Sequence, residues 1–402
     1  MRDPVRMVRL GCKKEATGMA RQNRVSVCDG IYHVTARIAH RAMLFRDAAV
    51  KDKVVEILLG AADFSGVELY AWCVMDNHLH LLVHVPRVPE RYWLKPGEEP
   101  AAYAFGTRPP ACRVPLWHPD GDSPHHPDGD SPLDTRSRPP LGFALPDDEM
   151  IARLASLYGA AKAKRIEREW SELRKRGLGA TVDDEKSRQC RRMYNLSQYV
   201  KTVKERISTW YNETRGHEGC LWQGRFHSGV VERVPDVLAI VAAYVGYNPV
   251  KAGVSATPSL WRWSSYALAA ADEGASGARC REMYSRMLGL AWDEVRERLE
   301  SVYADRLPDG LTPEELKRLY DRYDDRADEK GGARPPSGLR ASQAIRSSMW
   351  FFSHGAYIGK SEDFLRKLRE SLPRRFPMAG AGSIRRCRAF VWALPEIRRR
   401  VA

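Results

Sequence analysis

His78 and His80 stand two residues apart in the apolar stretch Asn77-His78-Leu79-His80-Leu81-Leu82-Val83-His84. In a strand, alternate side chains share a face, so His78, His80, Leu82 and His84 point one way and Leu79, Leu81 and Val83 the other. Neutral imidazole is a common metal ligand, and a pair so placed can converge on one cation while the apolar face holds the strand still. The same pattern fits an amphipathic strand with surface or hydrogen-bonded histidines, and a bare His-x-His does not choose between them. Tyr244 and Asn248 form a second pair. Four residues apart in a helical pattern, they lie one turn apart on one side of the helix and could share one site. A core aromatic followed by a helix-terminal asparagine would look the same.

The elements that must position these residues are legible around them. Gly30 to Ile38, rich in β-branched and aromatic residues, reads as a strand. Asp47 to Leu59 has apolar residues at helical spacing, with Gly60 as the expected stop. Val67 to Met75 is a second strand, and Asp76-Asn77 a turn leading back into the histidine strand as a hairpin. Residues 87–147 break this β-α-β-β order. They are rich in Pro, Gly and Asp and repeat seven residues, His118–Pro124 and His126–Pro132. Such a segment buries too little apolar surface to offset its chain entropy, so a disordered insertion is expected. Its His and Asp residues could bind a metal weakly, but a duplicated linker is the plainer reading.

A basic helix is expected from Asp147 to about Arg176, and another from about Arg188 to Thr214. The second puts Leu196, Tyr199, Val200, Val203, Ile207, Trp210 and Tyr211 on one face and Lys201, Lys204 and Arg206 on the other. Leu221 to Phe226 leads into a strand at about Ser228 to Glu232. A helix follows from Asp236 to Tyr247, closed by Pro249, which disfavours helical geometry in the residue before it. Beyond Trp261-Arg262-Trp263-Ser264-Ser265-Tyr266 the chain reads as helical. Trp292 to Ala304 is amphipathic, Thr312-Pro313-Glu314-Glu315 is a capped helix start, 331–336 a linker, and about Ser361 to Ser371 a basic helix. Residues 280–402 have the look of a separate helical module, and 1–18 of a tail, with Met19 as a candidate start.

The 402 residues suffice for two or three domains. The formal charge of +14 points to a polyanionic partner, nucleic acid first, although basic proteins also bind anionic lipid. Most of the excess lies in Gly331–Ala402, with 15 Lys/Arg against four Asp/Glu. Eight scattered cysteines form no C-x-x-C pair, which fits reduced thiols in the cytosol. The longest apolar run, Val237 to Tyr247, is too short to span a bilayer.

Taken in order, five stretches resemble the REP-associated tyrosine transposases, a branch of the single-tyrosine HUH transposases. Tyr32-His33-Val34-Thr35 with Arg37 is similar to that family's first strand, and Val74 to Val83 to its His-hydrophobe-His strand. Leu221-Trp222-Gln223-Gly224-Arg225-Phe226 is similar to the segment before its last strand. Tyr244 to Gly253 is similar to its tyrosine helix with the Asn-Pro-Val that ends it, and Trp263-Ser264-Ser265-Tyr266 to its closing motif. The insertion, Gly246 within the helix and the C-terminal extension depart from the pattern. The resemblance implies an α+β fold, a ferredoxin-like antiparallel sheet with packed helices (the HUH nuclease fold), over 19–86 and 148–267, plus a helical C-terminal extension.

It also implies single-stranded DNA strand transfer next to hairpins. Tyr244 would be the nucleophile, and His78, His80 and Asn248 would hold a divalent cation. Two imidazoles and a carboxamide suit Mn2+ better than Mg2+, which DNA phosphate oxygens and waters would help to hold; Zn2+ fits on ligand type alone. Lys201, Lys204, Arg206 and Arg225 are the candidates for DNA contact, against the reading of a solvated helix face. With one tyrosine per chain, either two chains cooperate as a homodimer or the cycle runs sequentially. The setting implied is the cytoplasm, on the nucleoid. Two other readings keep the fold: a domesticated nucleic-acid-binding protein without the chemistry, and a metal-dependent nuclease that activates water.

Overall fold

In the computed structural model, residues 27, 29–93, 143–271, 274–304 and 357–358 are described. The expected tail at 1–18, the body of the insertion, the helix start at Thr312, the linker 331–336 and the basic helix at 361–371 lie outside the described residues.

The strand patterns form the sheet as expected. Strand β1 is Gly30–Arg37, β2 Glu68–Val74, β3 His78–Val85 and β4 His227–Val231. The sheet order is β2-β3-β1-β4, and all three pairings are antiparallel. With helices packed on it, this is an α+β architecture with the strand order of a ferredoxin-like sheet. A two-residue strand β5, Tyr357–Ile358, adds in parallel along the free edge of β4, so the C-terminal region reaches the sheet. The register puts Thr35 opposite His80 and Arg37 opposite His78. His33, Thr35 and Arg37 therefore share the histidine face of the sheet. Tyr32, Val34, Ala36, Leu79, Leu81 and Val83, all buried, make the other face.

The helices fall into two groups. Helix α1 (Ala48–Ser65) packs with α2 (Asp147–Tyr158) and α5 (Leu196–Arg215), while α6 (Pro235–Lys251) packs with α7 (Ser265–Ala270), α8 (Gly274–Leu288) and α9 (Trp292–Ala304). Both groups touch β2, and α6 also touches β3. Every residue of α6 from Val237 to Val250 is buried, which makes it the central helix of its layer.

Four expected boundaries are corrected. Helix α1 does not stop at Gly60 but runs to Ser65, ending at Gly66 in the left-handed conformation (φ 65°) that glycine adopts without strain. Gly60 is needed for another reason: a Cβ there would collide with the Ser156 carbonyl oxygen of α2. The single helix expected over 147–176 is broken at Gly159 into α2 and α3 (Ala160–Lys175). The helix expected from Arg188 is two, α4 (Gly179–Cys190) and α5, the latter capped by the Asn195 side chain accepting from Gln198 N at 3.0 Å. Helix α6 runs past Pro249 to Lys251. Pro249 lacks the N–H that would bond the Val245 carbonyl. The Asn248 carboxamide stands in, donating from Nδ2 to Tyr244 O at 2.8 Å and to Val245 O at 3.3 Å. The segment read as an insertion is entered and left side by side, for Trp93 pairs with Phe143, and Tyr92 and Leu145 are buried.

Two contacts fix the hairpin that carries the histidines. Lys51, only 2% exposed, pairs with Asp76 at 2.7 Å in the β2–β3 turn and donates to Arg46 O at 3.0 Å. Its ammonium also lies over the rings of Trp261 and Trp263, a favourable arrangement for a desolvated cation. The segment Trp261–Ser265 covers the outer edge of β2, with Val74 N donating to Trp263 O at 2.9 Å and Trp72 N to Ser265 Oγ at 3.0 Å.

Candidate functional site

Strands β1 and β3 and helix α6 bring four aromatic rings together. His78 and His80 meet edge to face at 4.9 Å between centroids. His33, from β1, stacks on His80 at 5.4 Å with planes 12° apart. The Tyr244 ring sets its edge against His33 at 5.4 Å and against His80 at 5.5 Å. His33, His80 and Tyr244 are buried at 0%, 2% and 2% exposure, whereas His78 is partly exposed at the rim.

The hydrogen bonds sort the ring nitrogens. His78 Nδ1 lies 2.6 Å from Asn77 Oδ1 and so donates to it, which leaves Nε2 with a lone pair. His80 Nδ1 lies 3.2 Å from His33 Nε2 and 3.4 Å from Thr35 Oγ1. Burial, reinforced by the charges of Arg37 and Lys251, pushes the His78 pKa down to about 3. Burial also holds His80 well below the usual imidazole range, with His78, His33, Arg37 and Lys251 adding to it. Both imidazoles are therefore neutral at pH 7, the form that ligates metals.

Asn248 lies one turn beyond Tyr244, and Lys251 is seven residues beyond it, so all three share one side of α6. Tyr244 touches His80, and the Lys251 charge is felt at both His78 and His80. Asn248 lies between them along that side of the helix. Its Nδ2 donates to the Tyr244 and Val245 carbonyls. Among the described residues no group of three or more His, Cys, Asp or Glu side chains is arranged to hold a metal ion. The neutral imidazoles of His78 and His80 are of the ligand type that divalent metals accept.

The candidate DNA contacts have different surroundings. Lys201 is exposed and 3.7 Å from Glu205. Lys204 donates to Gly224 O at 2.7 Å and lies over the Trp222 ring, tying α5 to the loop before β4. Arg206 points elsewhere, half-buried over Tyr158 of α2, and burial lowers its pKa. Arg225 is exposed in the loop that Lys204 holds. That loop is fixed at the His78 end of the sheet, with Gln223 N donating to Arg37 O at 2.8 Å. The motifs read along the chain contain His33, Thr35, Arg37 and Lys251 but assign none of them to the site. Strand alternation marks the first three as one face of β1, and helical spacing puts Lys251 with Tyr244, but only the pairing register joins them.

His84 belongs to a different cluster, four residues along β3, roughly 13 Å at about 3.3 Å per residue. Its Nδ1 is 2.7 Å from Glu68 Oε2 and 3.1 Å from Tyr70 Oη, and its Nε2 is 2.7 Å from Asp29 Oδ1. Burial works to lower its pKa, but the hydrogen bonds to Asp29 and Glu68 win, and the net shift is upward.

The comparison that bears on this arrangement covers its strand half. Residues 26–89 match the family model of IS200-like transposases. The matched segment spans β1, α1 and the β2–β3 hairpin, and so contains His33, His78 and His80. The solved structure of a REP-associated tyrosine transposase bound to a REP hairpin is similar over 63% of this chain and 87% of that one, at 13% identity and a TM-score of 0.31. No curated protein matches. No helix among the described residues is long and apolar enough to cross a membrane.

Proposed function

We propose that the protein is a transposase that nicks and rejoins single-stranded DNA next to hairpins through a 5′-phosphotyrosine. The IS200-like match supports transposase function. The observation that carries the finer reading is the Tyr244 ring set against His33 and His80, with Asn248 on the same side of α6 and His78 beside His80.

His78 and His80 through Nε2, and Asn248 through Oδ1, would hold a divalent cation, Mn2+ or Mg2+. When bound, that ion supplies positive charge that polarises the scissile phosphate and favours the phenolate of a nearby tyrosine. Tyr244 Oη attacks phosphorus. The Oη–P bond forms, the bond from phosphorus to the 3′ oxygen breaks, the phenolic proton is lost, and the 3′ oxygen leaves as a hydroxyl. One phosphodiester replaces another, so the step is reversible and needs no ATP. Arg37 and Lys251 flank the histidines with charge suited to the incoming phosphates. Tyr244 is 2% exposed, so strand entry requires the α6 cover to shift. Gly246, which costs up to about 1 kcal/mol in a helix interior, softens α6 there. A DNA partner would place the protein on the nucleoid. One nucleophilic tyrosine per chain requires either a homodimer or sequential strand exchange.

Labelled single-stranded oligonucleotides from hairpins flanking the gene, incubated with the protein and Mn2+, test this. A covalent adduct that disappears in Tyr244→Phe is expected. Cleavage without adduct, unchanged in Tyr244→Phe, would instead show a nuclease that activates water. Binding without cleavage would show a nucleic-acid-binding protein that has lost the chemistry.

A further inference from the structure

His33 is buried at 0% exposure, and its ring touches both functional rings, stacked on His80 and edge-on to Tyr244. It lies on the histidine face of the sheet, with Thr35 directly opposite His80 and His33 opposite Leu82 on the neighbouring strand, so His33 is the diagonal neighbour of His80. The contact is polar as well as stacked, at 3.2 Å between His33 Nε2 and His80 Nδ1.

The direction of that hydrogen bond decides what His80 can do. If His80 Nδ1–H donates to His33 Nε2, the lone pair of His80 sits on Nε2. If His33 Nε2–H donates instead, a neutral His80 carries its proton on Nε2 and offers no lone pair there. Thr35 Oγ1, 3.4 Å from the same Nδ1, accepts or donates as required and so does not choose. The partner of a ligand's second nitrogen is the usual means of fixing its tautomer and ring orientation.

We infer that His33 is a positioning residue that holds His80 in the Nδ1–H tautomer and so presents His80 Nε2 to the divalent cation, while its ring braces Tyr244. The inference rests on the metal-site reading above. His33 itself ligates nothing, and its part is to keep the ligand and the nucleophile in register.

Two measurements on the full-length chain test it. In 15N-histidine-labelled, metal-free protein, with the His80 signals assigned by their loss in His80→Gln, long-range 15N–1H correlations are expected to show the proton on Nδ1. A proton on Nε2 overturns the inference whatever any variant does. Mn2+ titration then compares wild type, His33→Phe and His33→Gln. Phe fills the space without accepting a hydrogen bond, and an affinity loss of about 10–100-fold is expected. Gln keeps an acceptor and is expected to recover most of the affinity, which a merely space-filling role would not predict. Wild-type affinity in a folded His33→Phe overturns the inference and leaves the strand-transfer reading standing. If His33→Phe weakens Mn2+ binding but wild type forms no adduct, the positioning role stands and the strand-transfer reading falls. If wild type binds no Mn2+, both fall.

Discussion

At the scale of single residues, Asn248 has two duties that can be separated. Its Nδ2 satisfies the Tyr244 and Val245 carbonyls in a helix where Pro249 cannot. Its Oδ1 is the proposed ligand. Asn248→Ala leaves a buried carbonyl without its donor, a cost of about 1–3 kcal/mol. Pro249→Ala restores the missing N–H. The double variant Asn248→Ala/Pro249→Ala is therefore expected to regain most of the urea stability lost by Asn248→Ala, while Mn2+ binding and adduct formation stay impaired. Recovery of both would reduce Asn248 to a helix device. Helical spacing puts Tyr244 and Asn248 on one side of α6, and strand alternation puts His78 and His80 on one face of β3. The bond from Asn248 to the helix was not, because it answers a proline that the sequence suggests as a terminator.

At the scale of elements, strands were easier to read than helix ends. Strand alternation follows from burial on the two faces of a sheet and is written locally in β1, β2 and β3. Helix ends were settled by tertiary packing. Gly60 reads as a stop but is the gap through which α2 approaches α1, so Gly60→Ala is expected to force the pair apart. The predicted loss is about 1–3 kcal/mol, read from the urea midpoint. A charged clip closes the far end of the sheet, with His84 of β3 between Asp29 and Glu68, and with Arg233 and Arg286 paired to those carboxylates at 3.1 Å each. The hydrogen bond from His84 takes the Glu68 pKa down to about 2, with Tyr70 and Arg286 adding to it. Glu68 thus contributes stability that is present above its unfolded pKa of about 4.3 and is lost as pH falls towards about 2. His84 is shifted upward, so its contribution is complete below about pH 6.5 and is lost as pH rises through its folded value. The clip is strongest between those limits. Stability measured across pH for wild type and His84→Gln is expected to differ most near pH 5–6 and to converge on the alkaline side. A gap that widened with rising pH would mean that His84 is neutral in the folded protein.

At the scale of the whole molecule, charge is unevenly distributed along the chain. The chain carries +14, while its last 72 residues alone carry 15 Lys/Arg against four Asp/Glu. The rest of the chain is close to balanced, and several of its described arginines are paired: Arg174 with Asp147 and Asp183, Arg262 with Asp52, Arg279 with Asp63, Arg298 with Asp236. On the proposed DNA-binding function, steering toward the site is expected to fall chiefly to the C-terminal region, of which Tyr357–Ile358 adds to the sheet: Glu232 N donates to Ile358 O at 2.8 Å, and Ile358 is 3% exposed. Phosphate contacts show themselves as salt dependence, with log affinity falling by roughly 0.7–0.9 per contact for each unit of log salt. Replacing Arg385, Arg386, Arg388, Arg398, Arg399 and Arg400 by Gln in the full chain removes charge far from Tyr244 in sequence. The expected result is weaker hairpin binding with a shallower salt slope, and an unchanged adduct yield once DNA is saturating. Arg37→Gln and Lys251→Gln, beside the histidines, are expected to do the reverse, lowering adduct yield at saturating DNA with little change in slope. If the six-arginine variant kept the wild-type slope, the basic region would be only a solvated segment, and the DNA footprint would have to lie on the folded body, around Lys201 and Arg225.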